Sequence, residues 1–265
     1  MDIEGICREV IGIARNAGEF IRTERMSFDK KSVESKGIHD YVSYVDKKAE
    51  DLIVDRLGNL FPEAGFIAEE GSGEKNREGW NWIIDPLDGT TNFIHGLPPY
   101  SVSIALVNNR KAVTGVVYEI NLDECFYSWE GAPAYMNGQE IKVSDAQLVK
   151  ESLIATGFPY TDFSHMKPFL GSFRHFMENS HGLRRLGSAA VDLAYVACGR
   201  FDAFYEYGLS PWDVAAGTFI VSQAGGKICD FSGGDDYLFG GELIASNSMV
   251  YEEFKADVQR FMKAD

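Results

Sequence analysis

Ile3, Ile6, Cys7, Val10, Ala14, Ala17 and Ile21 recur at three- and four-residue spacings, which predicts an amphipathic helix at the start of the chain. A polar stretch from Ser27 to Asp40, rich in lysine and serine and containing Gly37, reads as a mobile loop or hairpin. Helical spacing resumes at Val45, Ala49, Leu52, Ile53 and Leu57 and stops near Pro62. The period then changes. Phe66–Ala68, Trp82–Ile84, Ser101–Val107, Ala112–Tyr118 and Glu124–Trp129 are short β-branched or aromatic runs, parted by turn residues such as Asn108-Asn109 and Asn121. They predict a largely antiparallel sheet. From about Ser152 strands alternate with helices: Ser188–Cys198 and Trp212–Gln223 read as helices, Phe201–Tyr207 and Lys227–Asp230 as strands, and Val250–Lys263 as a closing helix. A layered α/β sandwich accommodates this order. The shift near residue 145 divides the chain into an N-terminal α+β lobe, residues 1–145, and a C-terminal α/β lobe, residues 146–265, sharing one cleft. No internal repeat, low-complexity tract or flexible linker interrupts it.

At 265 residues the chain sits at the upper edge of what one hydrophobic core serves, consistent with one domain or two fused lobes. Charge changes the picture more. Forty acidic residues against 25 basic ones give a formal charge of −15, which works against non-specific binding to nucleic acid or anionic membrane. An acidic protein holds an anionic substrate if bound cations invert the local field, so the charge already points to metal. Cys7, Cys125, Cys198 and Cys229 include no CxxC pair and suit buried thiols in a reducing compartment. Asp2, Glu4, Arg8 and Glu9 do not form the apolar segment of a signal peptide, and no run approaches the ~20 apolar residues of a membrane helix. The expected location is the cytoplasm.

The most informative stretch is Trp82-Ile83-Ile84-Asp85-Pro86-Leu87-Asp88-Gly89-Thr90-Thr91-Asn92, an apolar strand that ends in two carboxylates three positions apart. Pro86 stiffens the link between them, and Gly89-Thr90-Thr91-Asn92 reads as a turn into a helix. Exposed backbone N–H groups at such a turn are phosphate ligands, and Asp85 and Asp88 beside them offer hard oxygens to Mg²⁺. Taken singly, Asp88-Gly89 is equally a simple turn and Asp85 a helix cap. Two further acidic sites shift the weighting. Phe66-Ile67-Ala68 runs into Glu69-Glu70, and Ser210-Pro211-Trp212-Asp213 places an aspartate in the first turn of a small-residue helix. Two ionised carboxylates ~5 Å apart repel by about 3 kcal/mol at an effective dielectric near 20, so convergence of these groups requires divalent cations or protons.

Asp85-Pro86-Leu87-Asp88-Gly89-Thr90-Thr91-Asn92 and Trp212-Asp213-Val214-Ala215-Ala216-Gly217, continuing to Ala224-Gly225-Gly226, resemble the two signature motifs of the inositol monophosphatase family. The similarity runs from Lys36 to Ser246. It implies a sugar-phosphatase-like α+β sandwich in αβαβα layers, with a mixed, largely antiparallel N-terminal sheet and a smaller C-terminal one. It also implies a lithium-sensitive, Mg²⁺-dependent phosphatase with two or three metals per site, and a homodimer. By the same resemblance, Glu69, Asp85 and the Leu87 carbonyl hold the first metal, Asp85, Asp88 and Asp213 the second, and a third binds near Glu69. Thr90, with Asp46 as partner, matches the pair that orients and helps deprotonate the attacking water. Asp46 closes Asp40-Tyr41-Val42-Ser43-Tyr44-Val45-Asp46, which departs from the family's segment in having Ser43 for threonine and Tyr41 for a smaller residue. Phosphate is expected on the N–H groups of Gly89 and Thr90. The substrate alcohol is expected against Asp88, the Gly187-Ser188-Ala189 turn, Glu206 and Asp213. Lys36 matches a lysine on a mobile metal-binding loop. The histidines, His95 and His181 among them, show no ligand spacing.

Phe204-Tyr205-Glu206-Tyr207-Gly208 resembles the family's glutamate-containing strand that hydrogen-bonds ring hydroxyls, which implies a polyol; a carboxylate accepts paired hydroxyls and repels a second phosphate. Inositol monophosphate is therefore the leading substrate. Arg184-Arg185 leave fructose 1,6-bisphosphate, NADP and 3′-phosphoadenosine 5′-phosphate open as alternatives. A different class of function, binding to transcription machinery, is raised by Arg184-Arg185-Leu186-Gly187-Ser188-Ala189-Ala190, which resembles a segment of bacterial family members with that role. No membrane partner and no direct nucleic-acid contact is expected.

Overall fold

In the computed structural model, residues 1–29, 34–37, 40–72, 78–158 and 163–262 are described, with the backbone alone for 34–37 and 40–42. The side chains of Lys36 and Tyr41, and Lys263 at the end of the predicted closing helix, therefore lie outside the described residues. The opening apolar stripe forms α1 (Ile3–Ser27), started by Asp2, whose Oδ1 accepts from the Gly5 N–H at 2.8 Å. Strands β1 (Glu34–Gly37) and β2 (Asp40–Val42) pair antiparallel within the segment read as a loop or hairpin. Helix α2 (Tyr44–Leu60) starts at a capping box: the Ser43 side chain and Asp46 satisfy each other's backbone N–H groups. Both helices bury their stripes, Val10, Ala14, Ala17 and Ile21 with Val45, Ala49, Ile53 and Leu57, on the same face of one sheet.

That sheet has seven strands in chain order: β3 (Gly65–Ala68), β4 (Trp80–Asp88), β5 (Ser101–Asn108), β6 (Lys111–Glu119), β7 (Glu124–Trp129), β8 (Ala134–Met136) and β9 (Gln139–Ile141). Only β3 and β4 run parallel, in keeping with the antiparallel reading. Strand β4 does not stop at Ile84, as the sequence pattern predicts. It continues to Asp88 across an irregularity between Asp85 and Asp88, where Pro86 has no N–H to give to the ladder. Helix α3 (Thr90–His95) follows directly.

A second sheet of five strands has the order β11-β10-β12-β14-β13, comprising β10 (Leu153–Thr156), β11 (Gly182–Arg184), β12 (Ala203–Tyr207), β13 (Lys227–Cys229) and β14 (Glu242–Ser246). Strand β10 runs parallel to β11 and β12, while β14 is antiparallel to both its neighbours. Helices α5 (Ala189–Ala197) and α6 (Pro211–Gln223) lie between the two sheets. Helices α4 (Met166–Asn179) and α7 (Tyr251–Met262) cover the outer face of the second sheet through Phe169, Phe176, Phe254 and Val258. The layers are thus αβαβα, as expected. Small residues make the middle layer possible: a Cβ on Gly217 of α6 would stand 2.6 Å from Leu193 Cβ of α5. On the other side, a Cβ on Gly115 of β6 would stand 2.8 Å from the Ala216 carbonyl oxygen. Among the described residues, no helix is long and apolar enough to cross a membrane.

Candidate active site

Extending β4 to Asp88 places its two aspartates at the edge of the middle layer, where α6 begins. Asp85, Asp88 and Asp213 each bring a carboxylate oxygen within 4.8 Å of the others. Local hydrogen bonds fix all three. Asp85 Oδ1 accepts from the Leu87 N–H at 2.9 Å, and Asp213 Oδ2 accepts from the Ser210 N–H at 2.6 Å. Asp88 Oδ2 accepts from Ser188 Oγ and from the Ala190 N–H, each at 2.7 Å, which ties β4 to the start of α5. The Glu69 carboxyl joins through a hydrogen bond and a charge interaction with Asp85.

Electrostatics make this cluster unstable as four free anions. Burial, then the charges of Glu69, Asp88 and Asp213, push Asp85 well above the usual carboxylate range. Burial, followed by Asp88, does the same to Asp213. Asp88 is pushed up to about 6 by burial, with Ser188, the Ala190 and Ala189 N–H groups and Arg185 pulling the other way. Two ionised oxygens 4.8 Å apart repel by about 3.5 kcal/mol at an effective dielectric of 20. Oxygen donors alone, most of them carboxylates, suit a hard divalent cation such as Mg²⁺. The residues fit that ion.

Thr90 opens α3 beside the cluster. Its Oγ1 lies 2.9 Å from Asp46 Oδ1 and 3.0 Å from the Leu87 carbonyl oxygen. Asp46 Oδ2 is held in turn by the Ser43 N–H at 2.9 Å and Ser43 Oγ at 2.6 Å, so serine performs the anchoring at this position. Burial raises the Asp46 carboxyl, and the bonds from Ser43 and Thr90 counter it. Gly89 turns the chain at φ +94, with Pro99 O, Tyr100 Cβ and Gly187 O all between 3.0 and 3.3 Å of where a Cβ would be. Both the left-handed backbone and the tight surroundings call for glycine.

On the opposite side lie Gly187, Ser188, Ala189 and, from the second sheet, Glu206. Burial pushes the Glu206 carboxyl up to about 8 despite Arg185, with Asp88 adding to the rise. Predicted residues Glu69, Asp85, Leu87, Asp88, Thr90, Asp46, Ser188, Ala189, Glu206 and Asp213 therefore converge through direct bonds or charge interactions, with Gly89 between Asp88 and Thr90 in the chain. Gly187 reaches them through its carbonyl, packed against Gly89.

Several contributors escape the sequence reading. Glu50 of α2 is 1% exposed and accepts from the Glu70 and Ser72 N–H groups at 2.7 and 2.8 Å, which pins the turn carrying Glu69. Asn92 donates to the Pro99 and Leu186 carbonyls, both at 2.8 Å, fastening α3 to the segment before Gly187. Asp192 is buried in the apolar α5, where burial and the charges of Glu206 and Asp88 raise it well above its usual range. A signal existed for both: Asp192 is an acid on an otherwise apolar helix face, and Glu50 lies one turn after Asp46 on a face that is otherwise apolar.

Comparison with known proteins agrees with this geometry. An inositol-1-monophosphatase of Mesorhizobium japonicum is 40% identical over 256 residues, covering 96% of both chains. The Nus factor SuhB of Pseudomonas aeruginosa is 40% identical over 251 residues, covering 93% of each. Among solved structures, the extragenic suppressor protein suhB of Bartonella henselae superposes with a TM-score of 0.90 at 36% identity, covering 97% of this chain and 99% of that one. The inositol monophosphatase of Anabaena gives 0.86 at 31% identity, covering 98% of each. With the family model for the inositol monophosphatase family matching residues 3–263, the chain belongs to that family.

Proposed function

We propose that this protein is a Mg²⁺-dependent phosphatase that hydrolyses a small phosphate monoester, with an inositol monophosphate as substrate. The carrying observation is the meeting of Asp85, Asp88 and Asp213 with the Thr90–Asp46 pair at one end of β4. Glu69, Asp85, the Leu87 carbonyl, Asp88 and Asp213 would hold two or three Mg²⁺. When bound, the ions supply positive charge that offsets the carboxylates and the phosphate, acidifies water and stabilises the leaving alkoxide. The chain's own residues do the rest. Thr90 Oγ1 donates its proton to Asp46 or to the Leu87 carbonyl, so its lone pairs are available to accept from an attacking water. Asp46, locked by Ser43, is the acceptor at the end of that chain, and Glu69 aids water activation from the other side. The N–H groups of Gly89 and Thr90 receive phosphate oxygens. Asp88, Gly187, Ser188, Ala189, Glu206 and Asp213 receive the alcohol.

Phosphate release measured over a substrate panel, with and without Mg²⁺, tests this reading. Faster turnover of fructose 1,6-bisphosphate, NADP or 3′-phosphoadenosine 5′-phosphate than of inositol monophosphates would reject the substrate. The surroundings of Arg185, which faces Asp88, Asp192 and Glu206, speak for a neutral polyol. A second reading, a transcription-machinery-binding factor, draws support from relatives called Nus factor SuhB at the same 40% identity. Asp88→Asn separates the two, since it should abolish hydrolysis and leave partner binding intact. We further propose two lobes, residues 1–145 and 146–265, that share the cleft of a cytoplasmic homodimer; a monomeric mass by light scattering at micromolar concentration would reject the dimer. Lithium is expected to occupy the site of Asp85, Asp88 and Asp213 and slow product release. Turnover unchanged in tens of millimolar Li⁺ would count against that.

A further inference from the structure

Three features of the alcohol end have no role in hydrolysis itself. The first is Gly157, just past β10. A Cβ placed there would overlap the Glu206 carboxylate, although the Gly157 backbone is of the ordinary, not left-handed, kind. Glycine serves there to make room, and the occupant of that room is the carboxylate. The second is Arg185. Its guanidinium lies over the Phe158 ring, 5.3 Å from the centroid, and against Gly187, where a Cβ would stand 2.5 Å from one of its terminal nitrogens. From this seat it acts on Glu206, Asp88 and Asp192. The third is Asp192, 1% exposed, whose Oδ1 finds no hydrogen-bond partner among the described residues. A buried carboxylate oxygen left without a donor is costly, and Arg185 is the cation that acts on it.

A carboxyl group that must meet two substrate hydroxyls needs a fixed plane, whether it accepts both as the anion or accepts one and donates to the other as the acid that burial favours, because misorientation loses one of the two bonds. Glu206 is packed against Gly157, and the next residue, Phe158, carries the Arg185 guanidinium, whose charge acts on Glu206. The planar guanidinium is itself set by the Phe158 ring and by the Gly187 backbone it lies against. We propose that Arg185 is a positioning residue that holds Glu206 over Gly157 in the orientation that accepts substrate hydroxyls, and thereby sets the preference for polyol phosphates over phosphates of alcohols that lack hydroxyls. This rests on the reading of Glu206 as the group that meets the alcohol.

The test is steady-state kinetics at saturating Mg²⁺ on an inositol monophosphate and on p-nitrophenyl phosphate, which has no hydroxyls to offer Glu206. Arg185→Gln should raise KM for the inositol phosphate about tenfold, as expected for the loss of one nearby cation that acts on Glu206, with kcat within about threefold. The ratio of kcat/KM between the two substrates should fall by the same factor, and Arg185→Lys should restore part of it. The double variant Arg185→Gln/Glu206→Gln should be no worse on the inositol phosphate than Glu206→Gln alone. Should Arg185→Gln fold poorly, Arg185→Gln/Asp192→Asn replaces the buried acid together with the cation that acts on it. Gly157→Ala displaces Glu206 without touching Arg185 and should cost the same preference. Equal losses on both substrates, or losses that multiply in the double variant, overturn the role of Arg185. A wild-type protein with no preference for the inositol phosphate overturns the substrate reading and the positioning role with it. A preference present in the wild type and unchanged in Arg185→Gln overturns the positioning role alone.

Discussion

Replacing Asp88 with asparagine should make the metal-free protein more stable, although it removes a proposed metal ligand. In the folded chain, burial chiefly pushes the Asp88 carboxyl from 3.8 up to about 6. Because the folded value is raised, the native state binds the proton more tightly than the unfolded one. Stability therefore falls as pH rises from about 4 to about 6, and the whole penalty is present above that window. At about 1.4 kcal/mol per tenfold change in acidity, an ionised Asp88 costs the metal-free fold about 3 kcal/mol. Asparagine keeps an acceptor for Ser188 Oγ and the Ala190 N–H, now as weaker neutral bonds, which returns about 1 kcal/mol. The net gain of about 2 kcal/mol corresponds to a Tm increase of about 4–8 °C in a chain of this size. Differential scanning calorimetry in EDTA at pH 8 reads it directly. At pH 4 the gain should shrink towards zero, and millimolar Mg²⁺ should reverse the order by stabilising the wild type more. A variant less stable than wild type in EDTA at pH 8, or one stabilised by Mg²⁺ as strongly, would refute the reasoning.

Other perturbations address separate parts of the site. Thr90→Ala removes the hydroxyl shared between Asp46 and Leu87 and should lower kcat by about 10²–10³-fold with little change in KM, read by phosphate release. Gly89→Ala forces a side chain onto φ +94 and to 3.0 Å from the Pro99 carbonyl; denaturant unfolding should show a loss of about 1–3 kcal/mol. Burial pushes the Cys125 thiol up to about 12 and the Cys7 thiol up to about 11, so neither should react with a thiol reagent at pH 8 in the folded protein. The half-buried Cys198 should label first, and all four thiols only after unfolding, as counted by mass spectrometry.

The layers and the acidic cluster beside Thr90 were legible because most of their residues are contiguous or periodic. Asp85, Asp88, Gly89 and Thr90 lie within one short segment, and the stripes of α1 and α2 repeat over several turns. Strands β8 and β9 have three residues each, too few to show a period. Helix α4 escaped because its buried positions, Phe169, Ser172 and Phe176, include a serine, whose hydroxyl is within 3.0 Å of Tyr205 Oη. The end of β4 lies beyond the apolar run because the ladder continues through Asp85 and Asp88, whose carboxylates carry no apolar signal, across an irregularity at Pro86. Gly157 could not be read at all: its requirement comes from a carboxylate 49 positions away in the chain.

The site draws on both sheets, and the division follows its chemistry. Strand β4 of the seven-stranded sheet, with α6, carries Asp85, Asp88 and Asp213, while β12 of the five-stranded sheet and the start of α5 carry Glu206, Ser188 and Ala189. On the proposed reading, the metal and phosphate groups sit with the first sheet, while the alcohol meets Asp88 and Asp213 there and Glu206 on the second sheet. On that reading, mutations that retune the alcohol can accumulate around Gly157 after β10 and Glu206 on β12, away from the Ser188 and Ala190 bonds that hold Asp88. A lineage, or a protein engineer, can exchange one phosphorylated alcohol for another by rewriting residues such as Arg185 and Glu206 while the hydrolytic half is inherited unchanged.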